Sequence, residues 1–160
     1  MARAIPSLAS YIFESASPEL HLVLRGHLHL EAVLNEILFR KNVSESRRSM
    51  FANKVRAAFE EGCIDEKLKG ALLAINRLRN KLAHELHFRV TFDDAFTLVK
   101  EAARAGIDFS DDTIHIDRTK SEEWYGTQGV LTEVISNTFQ HLVWENEATF
   151  TKDEIGSFLG

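Results

Sequence analysis

A chain of 160 residues, 44% hydrophobic and 27% charged, has the make-up of one globular domain, residues 1–160, long enough to bury a real core. Its net charge of -5 excludes a general nucleic-acid coating protein, which would be basic overall, so any RNA contact has to come from a local basic patch. A single cysteine, Cys63, excludes an internal disulfide and fits a reducing, cytoplasmic setting; no apolar run is long enough to span a membrane, and residues 1–13 lack the build of a signal peptide.

A short helix is read over residues 7–13. The first long helix starts at Ser17-Pro18-Glu19, where Ser suits the N-cap, Pro the first helical position and Glu the positive helix end. Leu20, Leu24, Leu28, Leu34, Ile37 and Leu38 recur near helical period, and the helix should end around Arg40 to Asn42. Ser44 or Ser46 is read as the cap of the next helix. Its apolar stripe is Phe51, Val55, Ala58 and Phe59, and Gly62 stops it. Asp65 caps a helix reaching about Leu86, with a stripe through Leu68, Leu72, Ile75, Arg79, Leu82 and Leu86. A charge in that stripe should be paired or should line a cleft.

Thr91-Phe92-Asp93-Asp94 opens a further helix through Arg104, with Gly106 at its end. Residues 107–118 alternate around Ser110-Asp111-Asp112-Thr113 and read as a small β-hairpin. The last long helix is predicted from about Gln128 to Glu145, with a broad apolar face, and residues 151–160 have room for a final turn. The sum is an all-α, antiparallel helical bundle with a small hairpin insertion.

The densest chemistry lies in Arg79-Asn80-Lys81-Leu82-Ala83-His84. A cation, an amide and an imidazole are the groups that bind a phosphate and move a proton near neutral pH. At about 100° per residue, Arg79 and His84 stand roughly 140° apart, whereas Asn76, Arg77, Asn80, Lys81 and His84 form a polar face. For Arg79 to meet His84, the helix must loosen, the long Arg must wrap round, or two copies of the helix must meet across a two-fold axis. The bland reading pairs Arg79 with Glu31 or Glu36 of the first helix.

The pattern Arg-Asn-x-x-x-His resembles the signature of the HEPN superfamily of small helical domains. Residues 25–34, 51–62 and 75–94 resemble its mannitol operon repressor branch, and about half the chain takes part. The resemblance implies a homodimer that pairs two motif helices. It also implies a metal-independent endoribonuclease leaving 2′,3′-cyclic phosphate ends, of the kind found in toxin–antitoxin and phage-defence systems, with a cognate antitoxin or regulatory protein as a further partner. His84 would be the general acid or base, and Glu85 directly after it suits the acid role. Arg79 would grip the phosphate, and Asn80 would orient His84 or bond a phosphate oxygen. Arg77, Lys81 and Arg25 are weaker phosphate contacts, and Glu31 is a supporting carboxylate. The alternative within the resemblance is a non-catalytic regulator acting through protein contacts, since a shared fold does not carry an activity with it.

Other signals point elsewhere. His27 and Glu31 lie one helical turn apart but His29 points away, and neither a His-Glu-x-x-His pattern nor a cysteine cluster is present, so no metal is expected. Glycine-rich phosphate loops are absent, so no nucleotide cofactor is expected. No basic recognition helix suggests sequence-specific DNA binding. Trp124, Tyr125 and Trp144 suit base stacking, helix packing or a dimer seam.

Overall fold

The structure, a computed structural model, describes Ser7 and residues 17–160; the helix read over residues 7–13 lies outside the described residues apart from Ser7. The order is α1 (Pro18–Arg40), a 3-10 turn (Glu45–Arg48), α2 (Phe51–Glu60), α3 (Glu66–His84), α4 (Phe92–Arg104), α5 (Thr113–Ile116), α6 (Arg118–Trp124), α7 (Gly126–Glu145), a second 3-10 turn (Glu147–Thr149) and α8 (Lys152–Leu159). No strand occurs among the described residues. α1 packs on α7, α2 and α3, and α4 lies against both α3 and α7. The core of this bundle includes Leu30, Leu34, Ile37 and Leu38 of α1, Leu72 and Ile75 of α3, Val99 of α4, and Leu131 and Leu142 of α7.

Local chemistry sets most helix ends. The Leu20 N–H donates to Ser17 Oγ at 3.1 Å, and the Leu68 N–H donates to Asp65 Oδ1 at 2.7 Å. Thr91 and Asp94 form a reciprocal capping box at the start of α4, and Thr151 and Glu154 form another at α8. Each box satisfies backbone donors that a helix start leaves without partners. Neither Ser44 nor Ser46 caps α2. Ser44 opens the 3-10 turn without a side-chain cap bond, and α2 begins after Met50.

Three expectations need correction. Residues 107–118 are not a hairpin. The Asp111 carboxylate accepts the Thr113 N–H at 2.9 Å and the Tyr125 hydroxyl at 3.0 Å, and this local bonding starts the turn of α5. Ile107 and Ile114 are buried while Ile116 is exposed, so the alternation did not mark one face of a strand. The core face of α1 is also rotated from the predicted stripe. Leu28 is 59% exposed, and Val23, His27 and Leu30 point inward instead. Finally, α3 ends at His84 rather than near Leu86, because Glu85 takes an extended backbone conformation.

The two ends of α1 are held by opposite kinds of contact. A Cβ on Gly26 would lie 2.5 Å from Ile135 Cγ2, so only glycine lets α1 and α7 approach so closely there. At the other end of α1, Arg40 gathers α8. It donates to Glu36 at 2.7 Å, to the Thr149 carbonyl at 2.9 Å and to Glu154 at 3.0 Å, and it lies 5.0 Å from the Phe150 ring centroid. The same contact holds the Glu154 carboxyl down at about 2, through the Arg40 hydrogen bond first and the Thr151 backbone second.

Candidate functional site

The last two turns of α3 carry the motif, and a helix turning about 100° per residue distributes it over two flanks. On the flank toward α1 and α2, Asn76, Arg79 and Asn80 line a cleft of about 280 Å³. His27 and Glu31 of α1, and Met50, Phe51 and Ala52 at the start of α2, complete it. On the flank toward α4, Arg77 and Lys81 line a separate hollow of about 190 Å³ with Asp94, Thr97 and Glu101. The motif therefore faces two grooves.

Arg79 is half-buried in the first cleft, and its Nη1 donates to Asn80 Oδ1 at 3.0 Å. Among the described residues no carboxylate pairs with it. Glu31 is taken by Lys54 at 2.7 Å, and Glu36 by Arg40. The bland pairing of Arg79 with either acid is thus absent. Asn80 orients Arg79 rather than His84, which leaves its amide nitrogen available for an anion.

His27 is the buried polar centre of this cleft, at 2% exposure. Its ring lies 4.1 Å from that of Phe51, and Nε2 sits 2.9 Å from Asn76 Oδ1. An amide oxygen only accepts, so Nε2 carries the proton, and Nδ1 is left as a buried lone pair without a partner among the described residues. The imidazole is held below its ordinary range. Burial is the largest cause, opposed by the Asn76 bond; Arg79 and Lys54 lower it further, and Glu31 opposes them.

The remaining predicted residues do not join this cleft. Arg77 reaches Glu101 at 3.6 Å across the α4 groove. Lys81 lies 5.5 Å from the Phe88 ring centroid. Arg25 lies on a third face, beside α7 and α8. His84, the last residue of α3, is exposed, and among the described residues it has no hydrogen-bond or ion-pair partner. Within one chain, nothing bonds Arg79 to His84. Trp124 and Trp144 are exposed rather than packed. Cys63 is buried, and burial pushes its thiol up, as suits a packing residue rather than a nucleophile.

Sequence reading missed Lys54 and the His27–Asn76 bond. Lys54 is 8% exposed on the inner face of α2, three residues after Phe51 and four before Ala58. That spacing was the available signal: a lysine inside an apolar stripe asks for a buried carboxylate. His27 carried a similar signal one turn before Glu31.

Among the described residues, no group of three or more His, Cys, Asp or Glu is placed to hold a metal ion. No helix among them is long and apolar enough to cross a membrane. Comparison of the chain with family models, curated proteins and solved structures finds no match. What the described residues offer is a helical bundle carrying, near the end of α3, a guanidinium without a counter-ion among them.

Proposed function

We propose that this protein is a HEPN-type, metal-independent endoribonuclease that works as a homodimer on cytoplasmic RNA, in a toxin–antitoxin or phage-defence setting. The observation that carries the reading is Arg79, half-buried in a cleft where, among the described residues, no carboxylate pairs with it. Desolvating a cation without a partner is unfavourable unless an anion arrives to pair with it. A phosphodiester is such an anion, and the fork of an arginine matches its oxygens.

The reaction balances without a cofactor. The ribose 2′-oxygen attacks phosphorus as its proton passes to a base. The bond from phosphorus to the 5′-oxygen breaks, and that oxygen takes a proton from an acid. The products are a 2′,3′-cyclic phosphate and a free 5′-hydroxyl. Arg79 offsets the charge gathering on the non-bridging oxygens, and the Asn80 amide bonds one of them. His84 is the proton carrier. Because it stands roughly 140° from Arg79 on the same helix, the working site needs the α3 end of a second copy, whose His84 approaches Arg79 of the first.

A non-catalytic regulator of the mannitol-operon-repressor type is the second reading. The dispersal of the cations favours it: Arg77 is engaged with Glu101, and Arg25 lies on another face.

The test is incubation of the wild type and His84→Ala with mixed cellular RNA in excess EDTA, with the product ends analysed. Cleavage by the wild type alone, leaving cyclic phosphate, is expected. Cleavage by both proteins would remove His84 from the mechanism. Cleavage by neither would favour the regulator.

A further inference from the structure

A hollow roomier than either groove of the motif lies away from it. It occupies about 440 Å³ between α1, α7 and α8, within the range of small-molecule sites. Its floor is apolar: Leu22 from α1, Ile135 and Phe139 from α7, and Phe158 and Leu159 from α8. Gly26 has no side chain to fill it. Along its rim His21, Arg25 and His29 follow one another at four-residue spacing, which places them on one face of α1. The His29 ring meets Phe139 edge-on, with centroids 5.0 Å apart.

The charge around this hollow is one-sided. No carboxylate lines it among the described residues, although the chain as a whole carries a net charge of -5. Arg25 has no hydrogen-bond or ion-pair partner among the described residues. The one guanidinium among the lining residues described matches one negative charge better than two. The guanidinium fork fits a carboxylate in particular. Ser136 and Gln140, on the α7 side of the opening, add a hydroxyl and an amide.

We propose that the α1–α7–α8 hollow binds a small monocarboxylate with an apolar body, its carboxylate on Arg25 and its hydrocarbon between Phe139 and Phe158. The site is independent of RNA cleavage and stands or falls separately from it.

The probe is decanoate, with 1-decanol as its uncharged counterpart, titrated into the full chain by NMR while the Ile135 methyl and Phe139 ring signals are followed. Decanoate should bind at least about tenfold more tightly than decanol, because only the acid makes the charge-assisted bond. Arg25→Ala should remove that margin and leave decanol binding as it was. Ser136→Trp, which places a large ring at the opening, should block both. Equal binding of acid and alcohol, or decanoate binding unaltered in Arg25→Ala, would overturn the proposal. So would the absence of binding by either probe at millimolar concentration. Dissociation of a dimer by Ser136→Trp, with no decanoate binding in the wild type, would assign the hollow to a seam between two copies instead.

Discussion

Arg77 and Arg79 are two residues apart on one helix, and their surroundings differ in kind. Arg77 faces α4, where Glu101 and Asp94 supply negative charge, and it sits in an open groove. Arg79 faces α1 and α2, where the nearby acid, Glu31, is already committed to Lys54. The first is an ordinary surface ion pair. The second is a cation kept available by the pairing of its neighbours. A count of basic residues in the motif treats the two alike; the partners show that Arg77 has a carboxylate within reach and that, among the described residues, Arg79 has none paired with it.

The largest expected effect tests that contrast directly. Arg79→Ala should lower RNA cleavage by about 10²–10³-fold, the scale of losing one donor to a developing oxyanion. Arg77→Ala should lower it by less than about fivefold. Single-turnover rates on one RNA would show this, and equal losses would erase the distinction between the flanks. Next comes the pair that keeps Arg79 free. Lys54→Met removes the partner of Glu31, with Arg79 left as the cation in its cleft, and should cost about 2 kcal/mol at most in urea unfolding, less than a fully buried pair because Glu31 still touches water. Adding Glu31→Leu should recover most of the loss; a double variant as unstable as the single would mean that the pair is not the issue.

A smaller effect belongs to His27, whose folded-state titration is depressed from 6.5. Between that value and the lower folded one, the unfolded chain holds more protons, so stability is complete above about pH 6.5 and declines as pH falls below it. Urea midpoints near pH 7.5 and 5.5 should differ more for the wild type than for His27→Gln, and identical differences would dismiss the imidazole as the cause. The smallest effect is on the neutralised flank. Glu101→Gln should shift stability by about 0.5 kcal/mol at most, given the exposure of Arg77 and solvent screening. A larger loss would make that groove more than a surface pair.

Helix starts were legible because they depend on adjacent residues: Ser17, Asp65 and Thr91 each bond a backbone N–H within three positions. The inward face of α1 was not, because burial of His27 depends on Asn76, which is 49 residues away in sequence. A histidine bonded across the bundle takes the place that the pattern assigned to Leu28. The hairpin reading failed on similar grounds, since Tyr125 from beyond the segment helps to bond Asp111. In the motif, the angular separation of Arg79 and His84 followed from the helix alone. Which cations would be neutralised did not, because Glu101 and Lys54 come from other helices.

The Arg40 cluster gives α8 an unusual kind of anchorage. α8 buries none of its residues fully: Ile155, Phe158 and Leu159 pack partly buried against the core, and its polar tie to α1 is a half-exposed set of charges. Attraction of that kind fades over roughly 8 Å at physiological ionic strength and over about 3 Å in molar salt. Phe158 and Leu159, which wall the apolar hollow, ride on this helix. The wall on α8 is therefore held partly by the apolar packing of Phe158 and Leu159, which salt leaves in place, and partly by ion pairing, which salt loosens. The dissolved ions around the molecule thus bear on how firmly one wall of this recess is held.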